Sequence, residues 1–532
     1  MTIESPPDNE GEAHASSAAQ QEVIASLSDP ASWSPCPERV EHIETHGAHV
    51  FLAGNRALKI KRAVRYSYMD FSTLEKRRLA CERETKINRQ FAPQIYLGTV
   101  PVMRSPTGVL AIGGQGEAVE WAVSMRRFDQ GSLLSRIARR GALTPQIAKS
   151  LADAVLASHR IAEPDRQANS VAALRGIVAD VARFLIQGED AETRQRAAQF
   201  RWLAEAEIEA CAALLNRRRD LGFVRRCHGD LHLNNVVLIE GKPTLFDALE
   251  FDERLATIDT LYDLAFLLMD LRAVGQRAEA NLLLGHYLWL SGSCVDLQGL
   301  RALPLFMALR AAIRAMVGLQ RAALTKTGLA GGSEPLPRDY LTLAVCTLKV
   351  TQPRLIAIGG FSGTGKSTLA AALAPRMGTS IGALHLRSDL ERKFHCRVGE
   401  IERLPANAYT AETNAAVYRR LQARTRTALD AGHSVIVDAV FSLAEERDAI
   451  AGIARDRGIA FDGVWLTATP ETVTRRIGAR KNDASDATAE VALTQIARGA
   501  GPVSWTSVDT NASQATVLER ALALLQPEQP RA

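Results

Sequence analysis

A chain of 532 residues is long enough for two or three domains, and 46% hydrophobic against 23% charged residues is a globular balance, which excludes a fibrous or wholly disordered chain. The formal net charge of +5 is small for this length and no basic block exceeds a few residues, so charge does not call for a nucleic-acid partner. Seven cysteines without a C-x-x-C pair exclude a disulfide scaffold and a structural zinc site.

The opening MTIESPPDNEGE has neither a basic start nor an apolar core, so no secretory signal is expected. The longest apolar runs, such as LAFLLM at 264–269, are too short for a bilayer, and the expectation is a cytoplasmic protein with no membrane partner. Residues 1–33, rich in Ser, Ala, Pro and acid, with the first basic residue at Arg39, read as a disordered acidic tail. AHVFLAGNRALKIK at 48–61 reads as a hairpin about Gly54-Asn55. A helix follows at about 72–91. A strand pair is expected near 95–128, with turns at Ser105-Pro106 and Gly113-Gly114.

Beyond residue 130 the pattern is helical to about 220, and again from 258 to about 325. GLAGGSEPLP opens a linker, and from 352 strand and helix alternate, which implies a parallel α/β sheet. The expected organisation is a tail at 1–33, a strand-rich lobe at 34–128, a helical lobe at 129–327, a connector at 328–351 and a final domain at 352–532.

The most specific motif lies in that final domain. Gly360-Phe361-Ser362-Gly363-Thr364-Gly365-Lys366-Ser367 fits G-x-x-x-x-G-K-[ST] between the apolar strand LIAI and a helix that begins at Thr368. Glycines let backbone N–H groups converge on phosphate oxygens, and the helix start adds a favourable dipole. Lys366 is expected to reach the outer phosphates and Ser367 to hold Mg²⁺. Asp389 and Arg392, spaced D-x-x-R after the next strand, are candidates for the base that takes the acceptor's hydroxyl proton and for a group that orients the acceptor. Asp438 ends the strand SVIVD, as a ligand of the Mg²⁺ water shell or as a helix cap. Arg475, Arg476 and Arg480 fall within two helical turns, as in a lid that closes over transferring phosphate. Residues 352–525 thus resemble the P-loop small-molecule and polynucleotide kinases, a group with gluconate kinases and zeta-toxin-like proteins.

A second constellation stands upstream. His228-Gly229-Asp230 and Asn235 fit H-x-D-x-x-x-x-N, and the strands VVLI and TLF follow, the second ending at Asp247. In kinase-like folds such an Asp accepts the substrate hydroxyl proton, while the Asn and the later Asp hold Mg²⁺. Gly229 stands where eukaryotic protein kinases have Arg, and HGD with Asn235 resembles the aminoglycoside phosphotransferase and choline kinase group. The resemblance implies a phosphate-gripping lysine upstream. Lys59 and Lys61 share one strand face; Lys59 is preferred because Ala57-Leu58 precede it as in V-A-I-K, with Lys61 the alternate. Glu84, rather than Glu82, is the expected salt-bridge partner. No glycine-rich loop precedes this strand, and 121–131 is the expected hinge beside adenine. Asp263 either anchors the catalytic loop or belongs to a plain amphipathic helix.

The fold expectation is a multidomain chain: an α+β bilobal protein-kinase-like domain, then an α/β P-loop NTPase domain with a parallel sheet. The functional expectation is an ATP-dependent phosphotransferase with two ATP·Mg²⁺ sites acting on hydroxyls of small molecules. An ATP-binding regulator with one degenerate kinase-like domain, or a zeta-toxin-like nucleotide-sugar kinase, is the alternative. Acceptors and oligomeric state are left open.

Overall fold

The alternation in residues 48–61 builds the first sheet. Val40–Glu44 (β1), Ala48–Ala53 (β2) and Arg56–Lys61 (β3) form an antiparallel meander, with Val50 opposite Lys59 and Gly54 at φ +54° in the turn. In this computed structural model residues 20–45, 47–66, 69–188, 190–324, 335–349, 351–378, 381–480 and 483–525 are described. They divide into two compact units. The first comprises the residues up to Ala142, Ala157–Ala168 and Val224–Asp263; the second comprises Leu143–Leu156, Asn169–Phe223 and Leu264 onward.

In the first unit a short hairpin, Arg65–Tyr66 (β4) with Met69–Asp70 (β5), leads to a helix at Leu74–Asn88, whose N-cap Thr73 accepts from the Lys76 N–H. Three strands follow rather than the expected two: Tyr96–Arg104 (β6), Leu110–Ile112 (β7) and Glu117–Arg126 (β8). The turn at 105–108 and the glycines at 113–116 each reverse the chain. The sheet order is β1-β2-β3-β8-β6-β7. Its period of two sorts β3 onto two faces. Leu58 and Ile60 join Phe51, Val102 and Ala122 in one core, while Ala57 joins Leu52, Cys81, Ile95 and Tyr96 in another. Lys59 and Lys61 share the face of Ala57, toward the helix that carries Cys81 and Glu84.

Residues 20–33 correct the tail expectation. Residues 20–28 are helical, and Val23, Leu27 and Trp33 are buried in the first core. The Gln20 amide donates to the Lys61 carbonyl and to Glu120. Few basic residues made this stretch look solvated, but its apolar spacing at 23, 27 and 33 gives it a face to bury. Residues 1–19 lie outside the described residues. Val224–Arg226 (β9) pairs with Thr257–Asp259 (β12), and Val236–Ile239 (β10) with Lys242–Leu245 (β11) about Glu240 and Gly241, both at positive φ.

The second unit holds the parallel sheet: Arg354–Gly359 (β13), Leu384–Arg387 (β14), Val435–Asp438 (β15), Ala460–Thr467 (β16) and Thr506–Asp509 (β17), in the order β14-β15-β13-β16-β17. Every pair is parallel. Ile356, Ile358, Ile436, Val464, Leu369 and Ala521 lie in its core. The unit also contains the helices Ser170–Ile186, Ala191–Asp220, Arg277–Ser291, Leu303–Leu324 and Pro337–Thr347, so compactness does not follow the boundary expected at 328–351. The linker residues 325–334 lie outside the described residues.

Helix Arg277–Ser291 is tied to the sheet region by side chains. The Asn281 amide donates to the Ile381 and Ala383 carbonyls at 3.1 and 2.9 Å, and the Trp289 indole N–H to the Leu390 carbonyl at 2.9 Å. One helix window among the described residues, Leu303–Gln320, is long and apolar enough to cross a bilayer, longer than any run read from sequence because alanines extend it. It contains Arg310 and Arg314, and 56% of it is buried inside the protein.

His433, just before β15, is buried, and burial holds its ring down at about 4 although a hydrogen bond to the Gly382 backbone opposes the shift. A histidine depressed in the folded state takes up a proton on unfolding, so its contribution is complete above about pH 6.5 and is lost as pH falls toward 4. Urea unfolding at pH 7.5 and 4.5 is expected to show an acid loss of stability that His433→Gln reduces by about 2–3 kcal/mol.

Candidate active sites

The first site begins with a buried row of charges. The Lys59 ammonium lies 2.9 Å from Glu84 Oε1 and 2.6 Å from Asp247 Oδ1, so residues 188 positions apart meet. Lys61 lies 2.5 Å from Glu84 Oε2 and also contacts Glu250. Glu84 is fully buried. Burial alone would raise its carboxyl, but the two lysines overcome this and hold it at about 2. Burial likewise opposes the charge on Lys59, yet Asp247 and Glu84 raise it well above the usual lysine range. Glu82, the other glutamate considered, pairs instead with Arg78 at the surface.

The loop 227–235 is held from below by Asp263. This buried carboxylate accepts from the His228 N–H at 3.2 Å, the Gly229 N–H at 3.0 Å and His159 Nε2 at 3.2 Å, which is anchoring geometry. Gly229 has φ +83°, and a Cβ there would lie 3.2 Å from Ala256 and Leu249. The chain therefore turns where an arginine would be strained. Buried His228 meets the Phe246 carbonyl through Nε2 at 2.9 Å, and burial pulls its ring below the usual histidine range.

Asp230 is 43% exposed and accepts from the Asn235 amide at 3.1 Å. That amide also donates to the Asp230 carbonyl, which leaves Asn235 Oδ1 as the atom able to meet a cation. His232 Nδ1 accepts from the Asn234 N–H, so Nε2, 3.4 Å from Asp230, carries the ring proton. Asp247 sits at φ +60°, a left-handed backbone uncommon for a residue with a side chain. Its N–H donates to the Tyr96 hydroxyl, and Asn88 brackets the neighbouring Ala248 N–H and carbonyl. Where β1 gives way to β2, the Thr45 N–H donates to the Ala48 carbonyl, and Gly47 is the stretch's one glycine by sequence, so no glycine-rich motif stands there.

In the second site the loop 360–365 carries glycines at φ +135°, +86° and +95°. A Cβ on Gly360 would fall 2.6 Å from the Leu466 carbonyl, and one on Gly363 would fall 2.8 Å from Val473. Helix Lys366–Leu373 starts directly after it, with Ser367 and Thr368 in its first turn. The Lys366 ammonium donates to the Phe361 carbonyl at 3.1 Å, and burial draws it below the usual lysine range despite Asp438 and Asp389. Phe361 packs edge-on against Trp465.

Asp438 ends β15 in register with Arg387 and Ile358, and it caps no helix. Burial would raise its carboxyl, but His385 at 3.3 Å, Arg387 and Lys366 hold it at about 2. Asp389 lies half-buried in the first turn of helix Ser388–His395, near enough to Lys366 and Arg387 to act on their charge. Arg392 is committed to a backbone partner, donating to the Ala408 carbonyl at 2.9 Å with its guanidinium over the Tyr409 ring.

Arg476 is also committed, donating to the Thr364 carbonyl and to Thr510. Arg480 lies 3.9 Å from Asp483, and its buried Nη1 has no protein partner among the described residues. Residues 481–482, within the expected lid, lie outside the described residues.

Sequence reading missed Arg387, His385 and Gln495. The first two had a signal: LHLR alternates polar and apolar on a strand whose neighbours are apolar on both faces, and a polar row there marks a site. Gln495, on helix Ala489–Arg498, had none, since only folding brings its side-chain oxygen 2.9 Å from the Ser362 N–H.

The fold and these two constellations define a phosphotransferase built from a kinase-like domain and a P-loop kinase domain. The family described as "Phosphotransferase enzyme family" matches residues 51–306, and the one described as "AAA domain" matches 355–502. "Uncharacterized protein Rv2004c" of Mycobacterium tuberculosis is 31% identical over 479 residues, covering 88% of this chain and 91% of the relative; "Uncharacterized protein Mb2027c" of Mycobacterium bovis matches with the same figures. The chain belongs to the family of these mycobacterial proteins.

Among solved structures it is similar to a choline/ethanolamine kinase family protein from Mesorhizobium loti (15% identical, 62% of this chain and 93% of that one, TM-score 0.36). It is similar also to a sugar kinase from Janibacter sp. (20% identical, 33% and 95%, TM-score 0.26).

A phosphate oxygen received by the Ser362 N–H has to displace Gln495. Gln495→Ala is therefore expected to tighten binding of the Mg²⁺ complex of a non-hydrolysable ATP analogue by about 3–10-fold, the worth of one neutral hydrogen bond. Calorimetry on a Lys59→Met background isolates this site.

Proposed function

We propose that the chain transfers the γ-phosphoryl group of ATP to hydroxyl groups of small molecules at two separate sites, one in residues 34–327 and one in 352–532. The carrying observation is the Lys59–Asp247 contact at 2.6 Å, which joins a strand lysine to the carboxylate after the catalytic hairpin. For the second site the support is the loop in which Gly360 and Gly363 leave no room for a Cβ.

The residues fit ATP·Mg²⁺. In the first site Lys59 would meet the phosphates, fixed by Glu84, and Asn235 Oδ1 with the Asp247 carboxylate would hold the metal. In the second, the amides of 360–368 and Lys366 would hold the phosphates, with Ser367 on the metal. Bound Mg²⁺ supplies charge neutralisation on the phosphates. Asp230 takes the acceptor's hydroxyl proton as the oxygen bonds to γ-phosphorus and the bond to the β-phosphate oxygen breaks, releasing ADP. Asp389 does the same in the second site, where Arg480 offers its free N–H to the developing charge. Arg476 supports the phosphate loop from behind, and Arg392 shapes the acceptor side through Tyr409. Free cysteines throughout support a reducing, cytoplasmic setting.

The zeta-toxin-like alternative is a special case of the second site. A regulatory first domain is the reading to exclude. Phosphoryl transfer and ATP hydrolysis are to be measured for Asp230→Asn and Lys366→Ala separately. Each is expected to remove one activity by about 10²-fold or more and leave the other. Turnover unchanged in both variants would refute both assignments. Loss only with Lys366→Ala would leave the first domain a regulator.

A further inference from the structure

Lys61 is the lysine that the phosphate-gripping role leaves over, yet it is the more buried of the two: its side chain is 3% exposed against 13% for Lys59. A buried ammonium is costly unless paired, and here both partners are acidic. Glu84 Oε2 lies 2.5 Å away, and Glu250, three residues beyond Asp247, contacts the same nitrogen. The order is Asp247, Lys59, Glu84, Lys61, Glu250, with signs alternating throughout.

Two spacings make this row possible. Lys59 and Lys61 project from the same face of β3, two residues apart. Asp247 and Glu250 are three apart on a segment bent by the left-handed Asp247 and held by Asn88 at Ala248. The metal-side segment is thereby stapled to the strand twice, with Glu84 shared between the staples. One lysine would leave the second oxygen of Glu84 without a partner and its carboxylate free to rotate. Two lysines fix both oxygens.

We propose that Lys61 and Glu250 are positioning residues of the first site: acting through Glu84, they set the Lys59 ammonium and hold Asp247 in place. This rests on the reading of Lys59 and Asp247 as the phosphate and metal groups. Lys61 itself touches no nucleotide.

The test is calorimetry of the full chain with the Mg²⁺ complex of a non-hydrolysable ATP analogue, on a Lys366→Ala background, with thermal unfolding alongside. Lys59→Met sets the scale with a Kd raised about 10-fold or more. Lys61→Met and Glu250→Gln are each expected to raise Kd about 5–10-fold. The double variant Lys61→Met/Glu250→Gln, which strands no charge of that pair, should fold with a Tm near the parent and show no further loss, since groups acting as one unit are not additive. Lys61→Arg should return Kd to within about 3-fold.

If Lys61→Met lowers Tm but leaves Kd unchanged, the inference fails and the pair is only structural. It fails too if the losses of Lys61 and Glu250 add, because Lys61 then contacts phosphate directly. If Lys59→Met itself leaves Kd unchanged, the first-site reading falls and takes the inference with it.

Discussion

Each half of this chain buries a lysine, and a buried ammonium is costly unless something answers its charge. Removing an ammonium from water costs several kcal/mol before any partner is counted. The two sites meet the cost in opposite ways. In the first, carboxylates surround the lysines: Glu84 stays ionised at about 2 because it answers two of them, and Lys59 is held charged. In the second, the Phe361 carbonyl is the hydrogen-bond acceptor of Lys366 among the described residues, and burial draws its pKa down. One lysine is balanced by its own protein. The other is answered by Asp438 and Asp389 only in part.

The polypeptide around the first site serves this arrangement. A hairpin turning at two positive-φ residues, Glu240 and Gly241, places Asn235 before it and Asp247 after it. Asp263 gathers two consecutive N–H groups of the loop, at a point where Gly229 turns at positive φ and leaves room for Ala256 and Leu249. The left-handed Asp247 stores strain of about 1–3 kcal/mol, and Tyr96, Asn88 and Lys59 over-determine it. In the parallel sheet the equivalent work is done by topology: β13, β14 and β15 end side by side, which brings Asp438, Arg387 and the glycine loop together.

What could be read from residues alone was local. The phosphate loop, the HGD…N spacing and the hairpin at 48–61 each lie within a few residues of one another, so type and spacing carry them. Lys59 over Lys61 was a choice between two residues on one face; nothing in RALKIK says which lysine a distant Glu250 will claim. Residues 20–33 resemble a tail in their low basic content, yet the spacing of Val23, Leu27 and Trp33 gives them a face to bury. Arg476 and Arg392 fell where arginines were expected, but the acceptors they serve, Thr510 and the Ala408 carbonyl, come from remote segments. Long-range pairing hid the rest: Gln495 meets Ser362 across 133 residues.

The side chains that helix Arg277–Ser291 lends to the parallel-sheet half have a consequence for dissection. Asn281 and Trp289 satisfy three main-chain oxygens around β14 and the helix after it, and Gly292 leaves room for Phe394, where a methyl group would collide at 2.3 Å. A fragment that starts at residue 352 would lose the groups that meet that ring and those three oxygens. It would keep the glycine loop and the parallel sheet while lacking the wall against which helix Ser388–His395 is seated.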